Sequence, residues 1–301
     1  MELCIDLGGT EIKLAIIDSA RILGSDTRAV QGDARDLDEA ASAAEALIAR
    51  TQAVPTALGI AVPGVVNPAT GRMLHANDKY GFLNEFDLQG WSARNFGLPA
   101  VVENDARAAL IGETSAGSAS GERDAVLLTL GTGIGTAAMI DGIPLRGTTG
   151  HAGILGGHVT TDIGARLCPC GNVGCAEALA STWALSHTDS AHGPASVKEL
   201  FHEDDHTDLR DSFLHVWGAT VVTLIHMYDP SVAILSGGIL RAGDAVRAPI
   251  EAYVRDHLWQ SMTAPRFVVP PEPEYSVVRG MSTLARQMHV KPQNRSDQET
   301  Q

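Results

Sequence analysis

The chain has 301 residues, 44% hydrophobic and 19% charged, an ordinary composition for a globular protein with one large or two modest domains. Its formal net charge of −14 argues against nucleic acid or an anionic membrane surface as a partner, because both attract basic patches. No apolar run approaches the ~20 residues of a membrane span, and MELCIDLGGT lacks the regions of a signal peptide. We therefore expect a cytoplasmic location.

The first part of the chain alternates strand and helix patterns. ELCIDLGGTEIKLAIID predicts two strands joined by a glycine turn, and Ala and Leu recur at helical spacing further on. The predicted elements are a strand pair at 2–18, a helix at 36–50, a strand at 56–64, a strand at 99–104 and a helix at 105–117. Asn104 and Asp105 are both good N-caps for the last helix, and the sequence does not choose between them.

The second part begins by repeating the first. AVLLTLGTGIGTAAMIDG has the same strand, glycine turn and strand, and it matches the N-terminus at a constant offset of 123 positions. The identical pairs are Leu7 and Leu130, Gly8 and Gly131, Ala15 and Ala138, Ile17 and Ile140, and Asp18 and Asp141. Further predicted elements are a helix at 210–230, a buried strand and turn at 231–240, an amphipathic helix at 242–258, a helix at 277–288 and a frayed polar end.

Three of the four cysteines lie together in LCPCGNVGCAE. Disulfides are disfavoured in the cytoplasm, so Cys168, Cys170 and Cys175 indicate a metal site, whereas Cys4 reads as a small apolar core residue. A structural zinc takes four ligands in a tetrahedron, and His158 is the candidate for the fourth. Because no coordination position is left open, this zinc would be structural rather than catalytic.

The segment HVTTDIGARLCPCGNVGCAE resembles the signature of the ROK family of bacterial sugar kinases and sugar-responsive repressors. Other family motifs (DLGGT, the Asn-Asp pair, GTGIG and LSGGI) follow in the expected order, and the resemblance extends from Asp6 to about Leu284. It implies an α/β, actin/hexokinase-like (ribonuclease H-like) fold of two domains with a cleft between them. The implied parts are a small domain at 1–110 joined by a C-terminal helix at about 279–290, a large domain at 111–278 with a zinc module at 158–177, and a polar tail at 291–301.

The glycine turns are candidates for binding ATP. Such turns let backbone N–H groups approach phosphate oxygens, and a carboxylate beside them can hold Mg²⁺ through water. GTGIG lacks GxGxxG spacing and continues as a strand, which disfavours a dinucleotide fold, and no P-loop motif occurs. The resemblance assigns ATP binding to Asp6, Gly8, Gly9, Thr10, Lys13, Gly131, Thr132, Gly133, Gly237 and Gly238. Ordinary hairpin or strand-to-helix turns are the alternative.

Asp105 is the best candidate for a general base, because it follows a strand and opens a helix at the rim of the predicted cleft. The alternatives are that Asp105 only caps the helix, or that Glu103 is the base. The resemblance implies proton abstraction by Asp105 and sugar contacts by Asn104, His158, Glu177 and Gly64. In this scheme His158 binds zinc through one ring nitrogen and offers the other N–H to a sugar hydroxyl.

One position departs from the family pattern. The family usually has Gly-Glu-x-Gly-His before the zinc-binding histidine, and the Glu binds the sugar. In AGILGGH that position is Leu155, or Ile154 if the alignment shifts by one residue. Either another acceptor such as His151 substitutes, or the substrate differs on that side.

The leading interpretation is an ATP-dependent kinase that phosphorylates a hexose, with the C6 hydroxyl of glucose as the default acceptor. The alternative substrates are glucose analogues such as an N-acylhexosamine, an allose-type hexose or a cyclitol, and polyphosphate remains open as the donor. The alternative of another class is a non-catalytic sugar-sensing regulator. The family's repressors carry a DNA-binding segment ahead of the DxGGT strand, which here starts at residue 2, and Asp105 is retained, so a kinase is favoured. A homodimer is expected from the resemblance alone.

Overall fold

The computed structural model describes residues 1–76, 78–187, 194, 196–201 and 206–288. The predicted tail at 291–301 and the end of the predicted C-terminal helix at 289–290 lie outside these residues. The chain divides into two compact units, unit 1 (Met1–Ala108 and Val277–Gln301) and unit 2 (Ala109–Ser276). Within the described residues, no helix combines the length and the apolar character needed to cross a bilayer.

Unit 1 is built on a five-stranded sheet of order β3-β2-β1-β4-β7. The strands are β1 (Glu2–Leu7), β2 (Glu11–Asp18), β3 (Arg21–Ala29), β4 (Ala57–Val62), β5 (Gly64–Val66), β6 (Met73–Ala76) and β7 (Ala100–Asn104). The helices are α1 (Arg35–Thr51), α2 (Leu88–Phe96) and the first turn of α3 (Asp105–Ala116), with a 3₁₀ helix at Asp78–Leu83. β1 pairs antiparallel with β2 and parallel with β4, and β4 pairs parallel with β7.

The central strands of unit 1 are covered on both faces. Every residue of β1 and β4 is buried, as expected for apolar runs in a parallel sheet. The C-terminal helix packs closely on β4, because a Cβ placed on Gly59 would lie 2.7 Å from the Met281 carbonyl oxygen. The Ser282 hydroxyl donates to the Glu2 carboxylate at 2.8 Å, which ties this helix to β1.

Unit 2 has a sheet of the same design, with the order β10-β9-β8-β11-β12. Its strands are β8 (Ala125–Leu130), β9 (Ile134–Ile140), β10 (Ile143–Pro144), β11 (Val232–Ser236) and β12 (Arg266–Val268). Its helices are α4 (Ala176–Leu179), α5 (Thr182–Ser186), α6 (Val197–Leu200), α7 (Thr207–Tyr228) and α8 (Asp244–His257), and α9 (Ser276–Gln287) begins at its last residue. Fully buried Trp217 of α7 donates its indole N–H to the Ala180 carbonyl at 2.7 Å, which fixes the end of α4 to the core.

The predicted helices at 36–50, 105–117, 210–230, 242–258 and 277–288 are confirmed, with ends shifted by a few residues. β3 and α2 were not predicted. The alternating, half-exposed pattern of RILGSDTRA in β3 lacks the apolar run that identified the other strands.

The constant offset of 123 between the two hairpins is wrong. β1 and β8 do occupy equivalent places, but Leu7 pairs with Ile12 while Leu130 pairs with Ile134, so the second turn is one residue shorter. The identities at Ala15, Ile17 and Asp18 therefore do not fall on matching rungs of the two sheets; Leu7 and Leu130 do, and Gly8 and Gly131 each follow them as the first residue of the turn. Internal duplication rests on sheet order and strand direction rather than on the five identities.

Candidate active site

The carboxylate of Asp6 is buried near the end of β1, two residues before the first glycine turn of unit 1 begins at Gly8. Asp6 ends up 5% exposed, and its Oδ1 has no hydrogen-bond partner among the described residues. Burial and, to a smaller extent, the nearby charge of Asp105 raise the pKa of Asp6 to about 7, although Lys13, which faces Asp6 across the hairpin, lowers it. A buried oxygen without a donor suits a cation, so this site fits a hydrated Mg²⁺.

Two side chains that were not predicted hold the first turn through its carbonyl oxygens. The Tyr80 hydroxyl donates to Gly8 at 2.9 Å, and the Lys79 ammonium donates to Gly9 at 2.8 Å. Both come from the 3₁₀ helix at Asp78–Leu83, about 70 residues along the chain, so no local sequence pattern could have identified them.

Asp105 is the first residue of α3 and remains partly accessible. Its Oδ1 accepts hydrogen bonds from the Asn104 side-chain amide at 3.0 Å and from the Ala106 N–H at 2.8 Å. Burial raises the pKa of Asp105 to about 6, although these hydrogen bonds lower it. A carboxylate with this pKa is mostly ionised at neutral pH and still basic enough to accept a proton.

Asn104, rather than Asp105, caps α3. The Asn104 Oδ1 accepts the N–H of Arg107 at 3.0 Å, which is the N-cap bond. The Asn104 amide nitrogen donates to the Gly64 carbonyl at 3.1 Å as well as to Asp105, so both of its hydrogens are used. Gly64 is required here, since a Cβ would lie 2.3 Å from the His75 carbonyl oxygen.

The rival base Glu103 is engaged elsewhere. Its Oε1 accepts from Arg107 Nη1 at 2.6 Å and from the Asn104 N–H at 2.9 Å, and both Glu103 and Arg107 are buried. The Glu103 carboxylate is thus part of a buried, hydrogen-bonded ion pair, and breaking such a pair is costly. Asp105 is therefore the accessible carboxylate at this junction.

The predicted zinc ligands converge in unit 2. The ligating atoms of His158, Cys168, Cys170 and Cys175 all lie within 4.8 Å of one another. The Cys170 and Cys175 sulfurs are 3.6 Å apart, and the Cys168 sulfur is 3.7 Å from His158 Nδ1. Zn–S bonds of about 2.3 Å in a tetrahedron place two sulfurs about 3.8 Å apart, so the residues fit a structural zinc. Gly174 is essential to this loop: its φ is +64°, and a Cβ would overlap the Asp162 carbonyl.

Glu177 lies between the zinc cluster and the second glycine turn. Its Oε1 is 3.9 Å from His158 Nε2, the ring nitrogen opposite the one that faces the cysteines. Its Oε2 accepts the N–H of Ile134, directly after the turn, at 2.8 Å. The sequence pointed to Glu177 as a sugar contact and gave no sign of the bond to Ile134.

The third glycine turn packs against the end of β8. Gly237 has a φ of +98°, and a Cβ there would lie 2.2 Å from the Leu130 carbonyl oxygen, just before the second turn. A cavity of about 310 Å³ opens beside it, with Gly237, Arg241 and Glu274 among its lining residues. Gly238 has open space where a side chain would be.

Leu155 lies at the start of the 3₁₀ helix Gly156–His158, is 43% exposed, and accepts the His158 N–H at 2.9 Å through its carbonyl. The exposed His151 has its Nδ1 3.0 Å from the Thr149 hydroxyl.

The sequence profile of the ROK family matches residues 2–288. The chain belongs to the ROK family. The glucokinase of Halalkalibacterium halodurans is 27% identical over 277 residues, which is 83% of this chain and 83% of that protein. The glucokinase of Streptomyces coelicolor is 32% identical over 274 residues, 82% of this chain and 84% of that protein.

Solved ROK structures share the fold. The ROK hexokinase from Thermus thermophilus is 28% identical, with a TM-score of 0.83 over 96% of this chain and 99% of that one. A ROK glucokinase from Streptomyces griseus, solved with glucose and AMPPNP, is 28% identical, with a TM-score of 0.81 over 95% of this chain and 99% of that one. These similarities confirm the predicted actin/hexokinase-like fold.

Proposed function

We propose that this ROK family member is an ATP-dependent sugar kinase that transfers the γ-phosphoryl group to a hexose hydroxyl, with C6 of glucose as the default acceptor. The observation that carries the proposal is Asp105, a partly accessible carboxylate whose pKa is raised to about 6, near Asp6, whose Oδ1 has no hydrogen-bond partner among the residues described. The similarity to glucokinases, one of them solved with glucose and AMPPNP, supports the same reaction.

In unit 1, Asp105 would accept the proton of the attacking hydroxyl. Asn104 holds the Asp105 carboxylate and has no amide hydrogen left over, so it supports the base as well as any sugar contact through its oxygen. Asp6 would hold Mg²⁺, which neutralises phosphate charge when bound. Gly8, Gly9, Thr10 and Lys13 are the candidate phosphate contacts of this unit, and Gly64 orients Asn104 on the sugar side.

In unit 2, His158, Cys168, Cys170 and Cys175 would hold a structural zinc, which keeps the loop rigid when bound. A sugar hydroxyl could bond both His158 Nε2 and Glu177 Oε1, which lie 3.9 Å apart. The candidate nucleotide contacts here are Gly131, Thr132 and Gly133 for phosphates, and Gly237 and Gly238 for adenosine.

Leu155 favours a substrate other than plain glucose. A hydroxyl left without a partner against leucine loses about 1–3 kcal/mol, which is roughly 5- to 150-fold in discrimination. The better substrate would lack, block or reorient that hydroxyl, as an N-acylhexosamine, an allose-type hexose or a cyclitol does. Leu155→Glu should then improve kcat/KM for glucose relative to the native substrate. High wild-type efficiency on glucose, with a Glu variant damaged on every sugar, would show that His151 or water already supplies the acceptor.

A coupled assay of ADP release over hexoses, N-acylhexosamines and cyclitols tests the reaction, and replacing ATP by polyphosphate tests the donor. We expect saturable turnover with at least one sugar and ATP. Sugar binding without turnover on any member of the panel would instead favour a sensor. We further propose a homodimer located in the cytoplasm, where the zinc-site thiols stay reduced. Light scattering tests the oligomeric state.

A further inference from the structure

The second glycine turn of unit 2, residues 131–133, is held by the segment that directly follows the zinc cysteines. The Glu177 carboxylate accepts the Ile134 N–H at 2.8 Å at one end of the turn. The Thr182 hydroxyl donates to the Gly131 carbonyl at 3.1 Å, and the Trp183 N–H donates to the Thr132 carbonyl at 3.4 Å. Gly131, Thr132 and Ile134 are thereby each hydrogen-bonded to α4 or α5.

The Glu177 carboxylate lies so close to the turn that it requires a glycine at position 133. A Cβ on Gly133 would lie 2.3 Å from Glu177 Oε2, so no larger residue fits while the carboxylate is in place. The glycine at this position therefore accommodates the acidic side chain, in addition to any ligand.

The position of Glu177 depends in turn on the zinc ligands. Buried Cys175 immediately precedes α4, and Glu177 lies in the first turn of that helix. The Ala176 N–H donates to the Val159 carbonyl at 3.0 Å, next to His158. A metal that joins His158 to Cys175 would therefore fix both the start of α4 and the ring nitrogen that faces Glu177.

We propose that the zinc module positions the second glycine turn for nucleotide phosphates, with Glu177 as the positioning residue that links them. This inference rests on the proposed function in one respect, that residues 131–133 bind ATP. Its distinctive consequence is that Glu177 and zinc set nucleotide affinity in the absence of any sugar. A carboxylate that served the sugar alone would leave that affinity unchanged.

Charge and position can be separated at Glu177. A carboxylate near phosphates repels them, so charge alone predicts tighter nucleotide binding when it is removed. If Glu177 instead acts by positioning the turn, Glu177→Ala should weaken nucleotide binding, because it leaves the Ile134 N–H without its acceptor. Glu177→Gln removes the charge but keeps an amide oxygen that can accept this N–H.

The experiment measures the Kd of Mg²⁺-AMPPNP by calorimetry without sugar, together with zinc content. We expect Glu177→Ala to weaken binding about 5- to 30-fold and Glu177→Gln to stay within about twofold of wild type. Thr182→Val, which loses the bond to Gly131 and lies outside the metal ligands, should weaken it about 3- to 10-fold. Ser186→Ala is the matched control, because the bonds of its hydroxyl to described residues lie within α5 and to the adjacent His187.

The inference is overturned if Glu177→Ala keeps wild-type nucleotide affinity. If Glu177→Ala has lost its zinc, Thr182→Val decides, and wild-type nucleotide affinity in Thr182→Val overturns the inference. Chelator-treated wild type that binds AMPPNP as tightly as the zinc form also overturns it. Failure of the proposed function appears separately, as the absence of sugar-dependent ADP release in the wild-type protein.

Discussion

The two glycine turns occupy equivalent places in sheets of the same order, but they use carboxylates differently. In unit 1 the carboxylate is part of β1 itself: Asp6 faces Lys13 across the hairpin, and its Oδ1 has no hydrogen-bond partner in the part of the chain that the structure describes. The matching rung in unit 2 pairs Thr129 with Gly135, and the carboxylate comes from Glu177, already bonded to the backbone. Two sheets of the same design therefore use their acids differently: the acid of the first turn has an oxygen that fits the proposed Mg²⁺, and the acid of the second turn supports the backbone.

The largest effect is expected at Asp105, the proposed base of unit 1. Asp105→Asn should lower kcat by roughly 10²- to 10⁴-fold, because the amide cannot accept the hydroxyl proton. Binding of AMPPNP without sugar should change far less than kcat, since the hydrogen bonds of Asp105 go to Asn104 and Ala106 and not to either glycine turn. Near-full turnover in this variant would contradict the proposed mechanism.

The wild-type pH profile gives a second test of the same group. The base must be ionised, so kcat/KM should fall as the pH is lowered through about 6, where Asp105 takes up its proton. Asp6 titrates close by and with Asp105 forms an interacting pair, so the apparent values belong to both groups. A flat profile between pH 5 and 8 would argue against an ionised carboxylate base.

The zinc site should affect both the second turn and the proposed sugar contacts of unit 2. Metal analysis should give about one zinc per chain, and Cys170→Ser should lose it, because three ligands hold zinc weakly. We expect the free energy of unfolding to fall by about 3–5 kcal/mol and KM to rise for both ATP and sugar. Cys4→Ser, which alters the buried cysteine of β1, is the control that should keep the metal. A Cys170→Ser protein that retains zinc would show that the cluster is not its site.

Ionisation of the buried Asp6 carboxylate should lower the free energy of unfolding as the pH rises to neutral and above. Its pKa is about 7 in the folded protein and about 3.9 when unfolded, so the native state holds an extra proton between these values. The stability from this group is fully present below pH 4 and is lost as the pH rises through 7. Urea unfolding without Mg²⁺ should show Asp6→Asn to be more stable than wild type at pH 8 by about 1–3 kcal/mol, and no more stable at pH 4.

Asp18→Asn at the far end of the same hairpin is the control for Asp6→Asn. Adding Mg²⁺ should stabilise wild type and have no such effect on Asp6→Asn. An equal pH dependence of the free energy of unfolding in wild type and Asp6→Asn would contradict the burial of Asp6 and the lack of a hydrogen-bond partner for its Oδ1 among the described residues.

The smallest effect concerns the loops at the opposite ends of the two hairpins. Ser19 and Ala20 have φ values of 49° and 75°, and Asp141 and Gly142 have 52° and 75°. The same left-handed position holds alanine in unit 1 and glycine in unit 2. Ala20→Gly should stabilise the protein by about 1 kcal/mol, and Gly142→Ala should destabilise it by a similar amount. Thermal unfolding measures both, and shifts of the same sign would rule out backbone strain as the cause.

Sequence reasoning succeeded where the signal is local. The apolar runs of β1 and β4 predicted buried strands, which the structure has. The spacing of Cys168, Cys170 and Cys175 predicted a metal-binding cluster, and the structure places these side chains close together. It could not choose between Asn104 and Asp105 as the cap, because both residue types cap helices equally well.

Contacts between distant residues were missed. Tyr80 and Lys79 reach the first turn from about 70 residues away, and Glu177 bonds to Ile134 across 43 positions. The predicted constant offset between the two hairpins was wrong for a different reason. The second turn is one residue shorter, which shifts the pairing of every later residue in the hairpin by one position without changing the apolar pattern.

Unit 1 is discontinuous in the chain, and this has a consequence for how the protein forms on the ribosome. Val278 and Met281 of α9 are buried in a unit whose other residues are made before unit 2, and Ser282 bonds to Glu2 across 280 positions. Chains are synthesised at about 5–20 residues per second, so the face of the first sheet that receives α9 stays uncovered while all of unit 2 is translated. Unit 2 is continuous and can complete its own core during that interval. Unit 1 therefore cannot finish folding until α9 has been synthesised, although most of its residues are made before unit 2.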